Sequence, residues 1–131
     1  MLEVARRHTD SEGLLVVDLS NPHTMADRGA SGETRQRFAV DTQEGHVQVC
    51  SAAWDDEGDQ HLKLDVWMDR TEAGGSVHRA WSHFVLRYIY RPELELMLRL
   101  AGIDHIQVYG SYELDPFNSA SSNIIAVARL P

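Results

Sequence analysis

Cysteine is nearly absent from this sequence: Cys50 is the only one in 131 residues, so no disulfide can form within the chain. A lone cysteine is typical of proteins from a reducing compartment, and residues 2–8 lack the apolar block of a signal peptide. We therefore expect a cytoplasmic protein. No apolar run approaches the roughly 20 residues that a membrane-spanning helix needs, so no membrane association is expected.

Basic residues are also scarce, with 12 Lys and Arg against 20 Asp and Glu and a net charge of −8. They form no basic run, which argues against a nucleic-acid partner. The His residues show no spacing typical of metal ligands. The acidic stretch 55–59 alternates like a calcium loop, but Gln60 stands where such a loop needs Gly and Val66 where it needs Glu. We expect no metal site.

The composition, with 43% hydrophobic and 24% charged residues, is that of a globular protein, and the length suits one domain. Residues 13–19 form a short apolar run between turn residues, which is typical of a strand covered on both faces. Residues 21–33 are rich in Gly, Ser, Asp and Pro and indicate a loop or a short helix.

The middle of the chain changes to period-two alternation, which is typical of half-buried antiparallel strands. Residues 60–69 alternate clearly, residues 47–54 do so upstream, and residues 77–90 form a long third segment. Turn residues lie between them, at 55–59 and 71–76. The pattern predicts a three-stranded antiparallel meander.

A helix follows, since Pro92 suits a first helical turn, Leu94 and Leu98 share one face, and Gly102 suits the position after a helix end. Residues 103–109 and 123–128 indicate two last strands. Residues 110–122, with Gly, Pro and Ser, indicate the loop that joins them.

The predicted helix and its flanks carry a spaced set of residues that supports a family resemblance: Tyr90, Glu93, Leu94, Leu98, Ala101 and Gly102. Together with the strand, long turn and last apolar strand, and with Gly-Leu-Leu-Val-Val-Asp-Leu-Ser-Asn-Pro-His at 13–23, this order resembles the C-terminal half of class I S-adenosylmethionine-dependent methyltransferases. The resemblance implies an α/β fold, part of a Rossmann-like sheet. Residues 13–19 would be strand five, 103–109 strand six, and 123–128 an antiparallel strand seven inserted between them.

On this resemblance we expect a single partial domain over residues 1–131. Residues 13–45 would hold strand five and its following loop, 46–90 an inserted substrate-covering meander, and 91–131 the helix and last two strands. The family holds S-adenosylmethionine on a Gly-rich strand–turn–helix that this sequence lacks, and the stretch 29–32 follows the wrong strand. We therefore expect that a cofactor-binding N-terminal half is missing and that this chain alone is inactive and does not bind the cofactor tightly.

The resemblance also places candidate site residues for a small-molecule acceptor. The segment after strand five would lie beside the acceptor, which makes Asn21 a candidate contact and His23 a candidate general base. Side chains of the third meander strand and of the turn after strand six could line the acceptor pocket. These candidates are Arg79, Arg87, Tyr88, Tyr90, Tyr109 and Tyr112.

Two other functions remain open from the sequence. One is a self-contained α+β ligand-binding module, in which all strands join one antiparallel sheet around a cavity. The other is a dimeric interaction domain without catalysis. Residues 14–17 would form an unpaired apolar edge in a partial sheet, so we expect self-association through this edge or through the meander. Pairing of residues 14–17 with 124–127 beneath the helix would favour the methyltransferase interpretation.

Overall fold

A computed structural model describes residues 2–10 and 13–129. The predicted domain of residues 1–131 also includes 1, 11–12 and 130–131, which lie outside the described residues. In chain order the elements are α1 Leu2–Arg7, β1 Leu14–Ser20, β2 Ser31–Thr42, β3 Gly45–Asp56, β4 His61–Thr71, β5 Val77–Arg87, α2 Arg91–Leu100, β6 His105–Tyr109 and β7 Asn123–Arg129.

The chain divides into two compact units, each with its own sheet. Residues 1–26 and 88–131 make the first, here called the terminal unit because both ends of the chain belong to it. Residues 27–87 make the second, here called the middle unit.

The terminal unit is built on a three-stranded sheet in the order β1-β7-β6. Strand β7 runs antiparallel to both neighbours, so β1 and β6 are parallel to each other. Val16 faces Val127 across the first pair, and Gln107 faces Val127 across the second. The last strand therefore lies between the other two, as the resemblance implies. That these strands correspond to strands five, six and seven of a methyltransferase remains a prediction.

Helix α2 packs its apolar side on one face of this sheet. The buried residues of this core are Leu94, Leu98, Ala101, Ile103, Ile124, Ala126 and Ala128. Leu15, Val17 and Leu19 of β1 pack against it. Leu14 and Val16 point the other way and are 56% and 57% exposed, so the prediction that both faces of this strand are covered is wrong for this chain.

Both ends of α2 follow from local sequence. Pro92 lies in the first turn, where its missing N–H has no intrahelical partner to lose. At the other end Gly102 adopts a positive φ of 77°. Its N–H donates to the Arg99 carbonyl at 2.8 Å and the next N–H, of Ile103, donates to the Leu98 carbonyl at 3.0 Å. These two bonds are those of a Schellman motif, and they satisfy carbonyls that the helix end leaves open.

The middle unit is a four-stranded antiparallel meander in the order β2-β3-β4-β5. The prediction of three strands is wrong, because residues 31–42, which were assigned to the loop after strand five, form β2. The register of β2 on β3 shifts between Ser31 and Thr34 and again between Gln36 and Phe38. Such bulges break the period-two alternation by which a strand is recognised. A bulged strand with a polar beginning therefore looks like a loop in the sequence.

The third predicted strand of the meander is also shorter than expected. Strand β5 ends at Arg87, and Tyr88, Ile89 and Tyr90 form the connection to α2. Tyr90 has φ −80° and ψ 156° and is the cap residue of the helix. The prediction that Tyr88 and Tyr90 share a strand with Arg79 and Arg87 is therefore wrong.

Candidate functional site

The end of β1 is fastened to the β6–β7 loop by one buried amide. Asn21 has no exposed surface. Its side-chain N–H groups donate to the carbonyls of Ser119 at 3.2 Å and Ser121 at 2.7 Å, and its backbone N–H donates to the Ser122 carbonyl at 2.9 Å. Asn21 therefore holds the end of β1 against the β6–β7 loop. The predicted contact of Asn21 with an acceptor stays a prediction.

The same amide shapes the turn that carries His23. The Asn21 side-chain oxygen accepts a hydrogen bond from the His23 backbone N–H at 3.2 Å, which is an Asx-type turn. The hydroxyl of Thr24 donates to the carbonyls of Asn21 at 3.2 Å and Ser121 at 3.1 Å. The backbone around His23 is thus fixed from both sides, whereas its imidazole is exposed.

Three aromatic side chains meet at this point. The rings of His23 and Tyr90 lie 5.2 Å apart between centroids, tilted by 58°. Tyr90 meets Tyr88 edge to face at 5.9 Å, and Tyr88 is buried. The structure therefore brings together three of the predicted site residues in one row that runs from the core to the surface. Such a row can form one wall of an apolar pocket with a titratable imidazole at its outer end.

The start of α2 is held by its own neighbours, which fixes Tyr90. The Arg91 Nε donates to Glu95 Oε1 at 2.6 Å, one turn along the helix. The Arg91 guanidinium also lies over the Phe117 ring, 5.4 Å from its centroid. Phe117 belongs to the loop that Asn21 holds, so this loop contacts both the end of β1 and the start of α2.

One acidic residue that the sequence interpretation did not name as a candidate holds Tyr112. Asp18 of β1 accepts hydrogen bonds from the Tyr112 hydroxyl and from Asn123 Nδ2, the latter at 2.9 Å. The bond to Asp18, followed by its negative charge, raises the pKa of Tyr112 above the usual phenol value. The available signal was a single charged residue inside the apolar run 14–19. Tyr112 is thereby bonded to β1, apart from the aromatic row.

The other predicted site residues are paired elsewhere. Tyr109 donates to Gln107 at 2.8 Å. Arg79 and Arg87 belong to the middle unit, where Arg79 makes two 2.7 Å hydrogen bonds to Asp69 and Arg87 lies opposite His61 in the strand register. The Arg79–Asp69 pairing leaves less reason to expect Arg79 to bind a substrate carboxylate.

The described residues do not fit S-adenosylmethionine. The family's Gly-rich turn joins a strand to a helix, and in the described part of the chain the one strand-to-helix connection, residues 88–90, contains no glycine. In the stretch 29–32, Gly32 lies within β2, and a Cβ there would lie 2.7 Å from the Trp54 ring. Close packing against Trp54 therefore accounts for a glycine at position 32.

Within residues 2–10 and 13–129, no cluster of three or more His, Cys, Asp or Glu could hold a metal ion. The buried carboxylate of Asp55, in the acidic stretch considered above, instead accepts the Gly29 N–H at 2.7 Å and lies 3.4 Å from the Arg28 Nε. No helix in the same residues has the length and apolar character needed to cross a membrane.

No protein-family model and no curated protein matches this sequence. Solved structures do match its fold. The CcbJ methyltransferase of Streptomyces caelestis has a TM-score of 0.76 at 24% identity, over 98% of this chain and 48% of its own. An S-adenosylmethionine-dependent methyltransferase of Clostridium acetobutylicum gives 0.72 at 11%, over 98% and 49%.

A third match is CalS10, an amino pentose methyltransferase of Micromonospora echinaspora whose structure contains S-adenosylmethionine. Its TM-score is 0.65 at 16% identity, over 98% of this chain and 48% of CalS10. This chain therefore spans about half the length of the structures it matches. At these identities the comparisons establish the fold: a sheet-based α/β arrangement like half of an S-adenosylmethionine-dependent methyltransferase.

Proposed function

We propose that this chain is the C-terminal, acceptor-binding portion of an S-adenosylmethionine-dependent methyltransferase that acts on a small molecule. The observation that carries the proposal is the β1-β7-β6 sheet beneath α2, in which residues 14–17 pair with the last strand at residues 126–129, two positions beyond the 124–127 named from the sequence. The continuous antiparallel sheet needed by a self-contained binding module is not seen among the described residues, which form two sheets.

His23 is the residue that this proposal assigns to proton transfer. An acceptor that carries a proton on its nucleophilic atom needs a base within hydrogen-bond reach as the methyl group is transferred. His23 is exposed, its backbone is fixed by Asn21, and Tyr90 stands beside its ring. Tyr88 and Tyr90 supply the wall against which an acceptor is oriented. Orientation of this kind is a large part of catalysis in displacement reactions.

The cofactor would be held by a second half that this chain does not supply, which is also why the chain alone would be inactive. The acceptor class follows from the matched structures only by analogy, because one of them acts on an amino pentose. An amine on a sugar ring is therefore a reasonable first acceptor to try.

Sequencing the coding DNA upstream of the Met1 codon tests the proposal. An in-frame extension with an apolar strand and a Gly-rich turn before a helix is the expected result. A stop codon immediately upstream, together with no separately encoded half that restores cofactor binding on mixing, would overturn it. The ligand-binding module and the interaction domain without catalysis would then lead.

In the longer protein, His23→Gln should lower kcat by about 10²-fold with little change in KM, because the base is lost and the pocket wall is kept. His105→Gln is the matched control, since His105 is an exposed residue of β6 and is assigned no role. Steady-state kinetics on both variants gives the answer. Equal rates for His23→Gln and the parent would remove His23 from the mechanism.

A further inference from the structure

One face of the middle unit carries three consecutive facing pairs between β4 and β5. The register places one residue of each pair directly opposite the other, and all six lie at alternate positions, so they share a face. In order along the strands the pairs are Asp69 with Arg79, Trp67 with Trp81, and Asp65 with His83. A pair of indoles is thus bracketed by an acid–base pair on each side.

The rings in this row are arranged as an open platform. Trp81 is 60% exposed although it is a large apolar side chain. Its ring lies 6.2 Å from that of His83, at an interplanar angle of 27°. The Arg79 guanidinium lies 5.6 Å from the centre of the Trp67 ring. The neighbouring planar groups thus hold the indoles in place, and a broad apolar ring faces solvent.

The flanking pairs are held by short hydrogen bonds. Asp69 receives two 2.7 Å bonds from Arg79, and these bonds lower the pKa of the Asp69 carboxyl. Asp65 lies 2.6 Å from the His83 Nδ1. Carboxylates and guanidinium groups have more acceptor and donor positions than these bonds use. Polar groups that are held in place and have unused hydrogen-bond positions therefore lie on both sides of the exposed indole.

We propose that this platform, made of Trp67, Trp81 and the two flanking acid–base pairs, binds a sugar ring. A sugar has an apolar face of C–H groups that stacks on an indole and a rim of hydroxyls that both donate and accept. Its C–H face lies on Trp81, and its hydroxyls donate to Asp65 and Asp69 and accept from Arg79.

Other ligand classes fit these groups less well. A purely apolar ligand would cover the charged pairs without replacing their hydrogen bonds to water, which is unfavourable. A compact anion would meet the carboxylates of Asp65 and Asp69. A cation would be repelled by the Arg79 guanidinium, which already pairs with Asp69 and lies over the Trp67 ring. The inference stands apart from methyl transfer, because His23, Tyr88 and Tyr90, to which the proposed function assigns that reaction, belong to the terminal unit and sugar binding needs no cofactor.

Saturation-transfer NMR on the whole chain with methyl β-glucopyranoside tests this inference. Wild-type protein should transfer saturation to the sugar, more strongly to the ring protons of one face (H1, H3 and H5, or H2 and H4) than of the other. Trp81→Ala should lower the transfer by about two- to tenfold, as expected from the loss of one ring contact. Phe84→Ala is the matched control: it truncates an exposed aromatic side chain of β5 at a position of opposite parity and should leave the transfer unchanged.

A second readout does not depend on variants. In the wild-type protein, titration with the sugar should shift the Trp81 indole N–H resonance and leave that of Trp54 in place. No transfer to the sugar, transfer that survives Trp81→Ala, or equal loss in Phe84→Ala would each overturn the proposal. So would binding of free thymine, but not of the sugar, in a Trp81-dependent way, since that would identify an aromatic-base site.

Discussion

At the scale of single residues, Asn21 is the side chain on which the candidate site depends most. Asn21→Ala removes two donors to the Ser119 and Ser121 carbonyls from a fully buried position. We expect the free energy of unfolding to fall by about 1–3 kcal/mol, as is typical when buried partners lose their hydrogen bonds. Asn21→Asp should be worse, because a carboxylate would face those carbonyl oxygens.

Chemical denaturation followed by circular dichroism measures both variants. Asn118→Ala is the control, because the Asn118 side chain bonds only within its own exposed loop among the contacts described, at 2.9 Å to the Ala120 N–H. It should change stability by no more than about 0.5 kcal/mol. An Asn21→Ala protein as stable as the parent would contradict the fastening role.

A second residue-scale prediction concerns the start of β2. The Glu33 pKa is lowered from 4.5 to about 2, first by the hydrogen bond from the Ser31 hydroxyl at 2.6 Å and then by the Ser31 backbone N–H. A lowered carboxyl pKa contributes stability above its unfolded value, and this contribution is lost as the pH falls from about 4.5 through about 2.

Ser31→Ala removes the hydroxyl whose hydrogen bond lowers the Glu33 pKa most, so this pKa should rise toward its ordinary value. Carboxyl carbon NMR across an acid titration measures it directly. Ser82→Ala, in β5 of the same sheet, should leave the Glu33 titration where it was. A wild-type Glu33 that already titrates in the ordinary range would refute the assignment.

At the scale of elements, regular periodicity decided what could be predicted. Strand β4 and helix α2 were recognised because their apolar residues follow the period of one element without interruption. Strand β2 was missed because two register shifts interrupt its alternation and because its first seven residues, 31–37, include no apolar side chain. The end of β5 was missed because Tyr88 and Tyr90 continue its alternation after the chain has turned toward α2.

Two elements present apolar surface that supports the predicted self-association. Strand β1 is an edge strand of the described sheet, with Val16 57% exposed, and Phe84 of β5 is 45% exposed. Unpaired strand edges and exposed apolar faces favour pairing with another chain. Sedimentation should give a mass that rises with concentration above the 14.8 kDa of one chain.

Two variants show whether the edge strand β1 or the meander forms the interface between chains. If β1 is the interface, Val16→Lys should abolish the rise in mass and Phe84→Lys should not. If the meander is the interface, the result reverses. A concentration-independent monomer for the parent chain would contradict self-association through either surface.

At the scale of the whole molecule, the order of elements carried more information than any single position. Each of β1, α2, β6 and β7 is signalled by its local sequence, but the place of β7 between β1 and β6 was expected only because the order of elements resembles that of the methyltransferases. The site could be expected only in part. His23 and Tyr90 were named as candidates and their roles stay predictions, whereas the Asp18–Tyr112 bond and the side-chain bonds of Asn21 join residues 94 to 100 positions apart in the sequence. No local pattern reveals such pairs.

The whole-molecule prediction is that this chain alone does not bind S-adenosylmethionine with micromolar affinity. A tight dinucleotide-like site requires backbone groups of a Gly-rich turn that approach the ligand closely at a helix start. The described strand-to-helix connection consists of Tyr88, Ile89 and Tyr90 instead and contains no glycine. Calorimetric titration of the chain should therefore give no heat beyond dilution, while CalS10, seen with S-adenosylmethionine bound, should titrate as the positive control. Micromolar binding by this chain would mean that the cofactor is held without such a turn, and the assignment of the chain to the acceptor-binding half would then have to be abandoned.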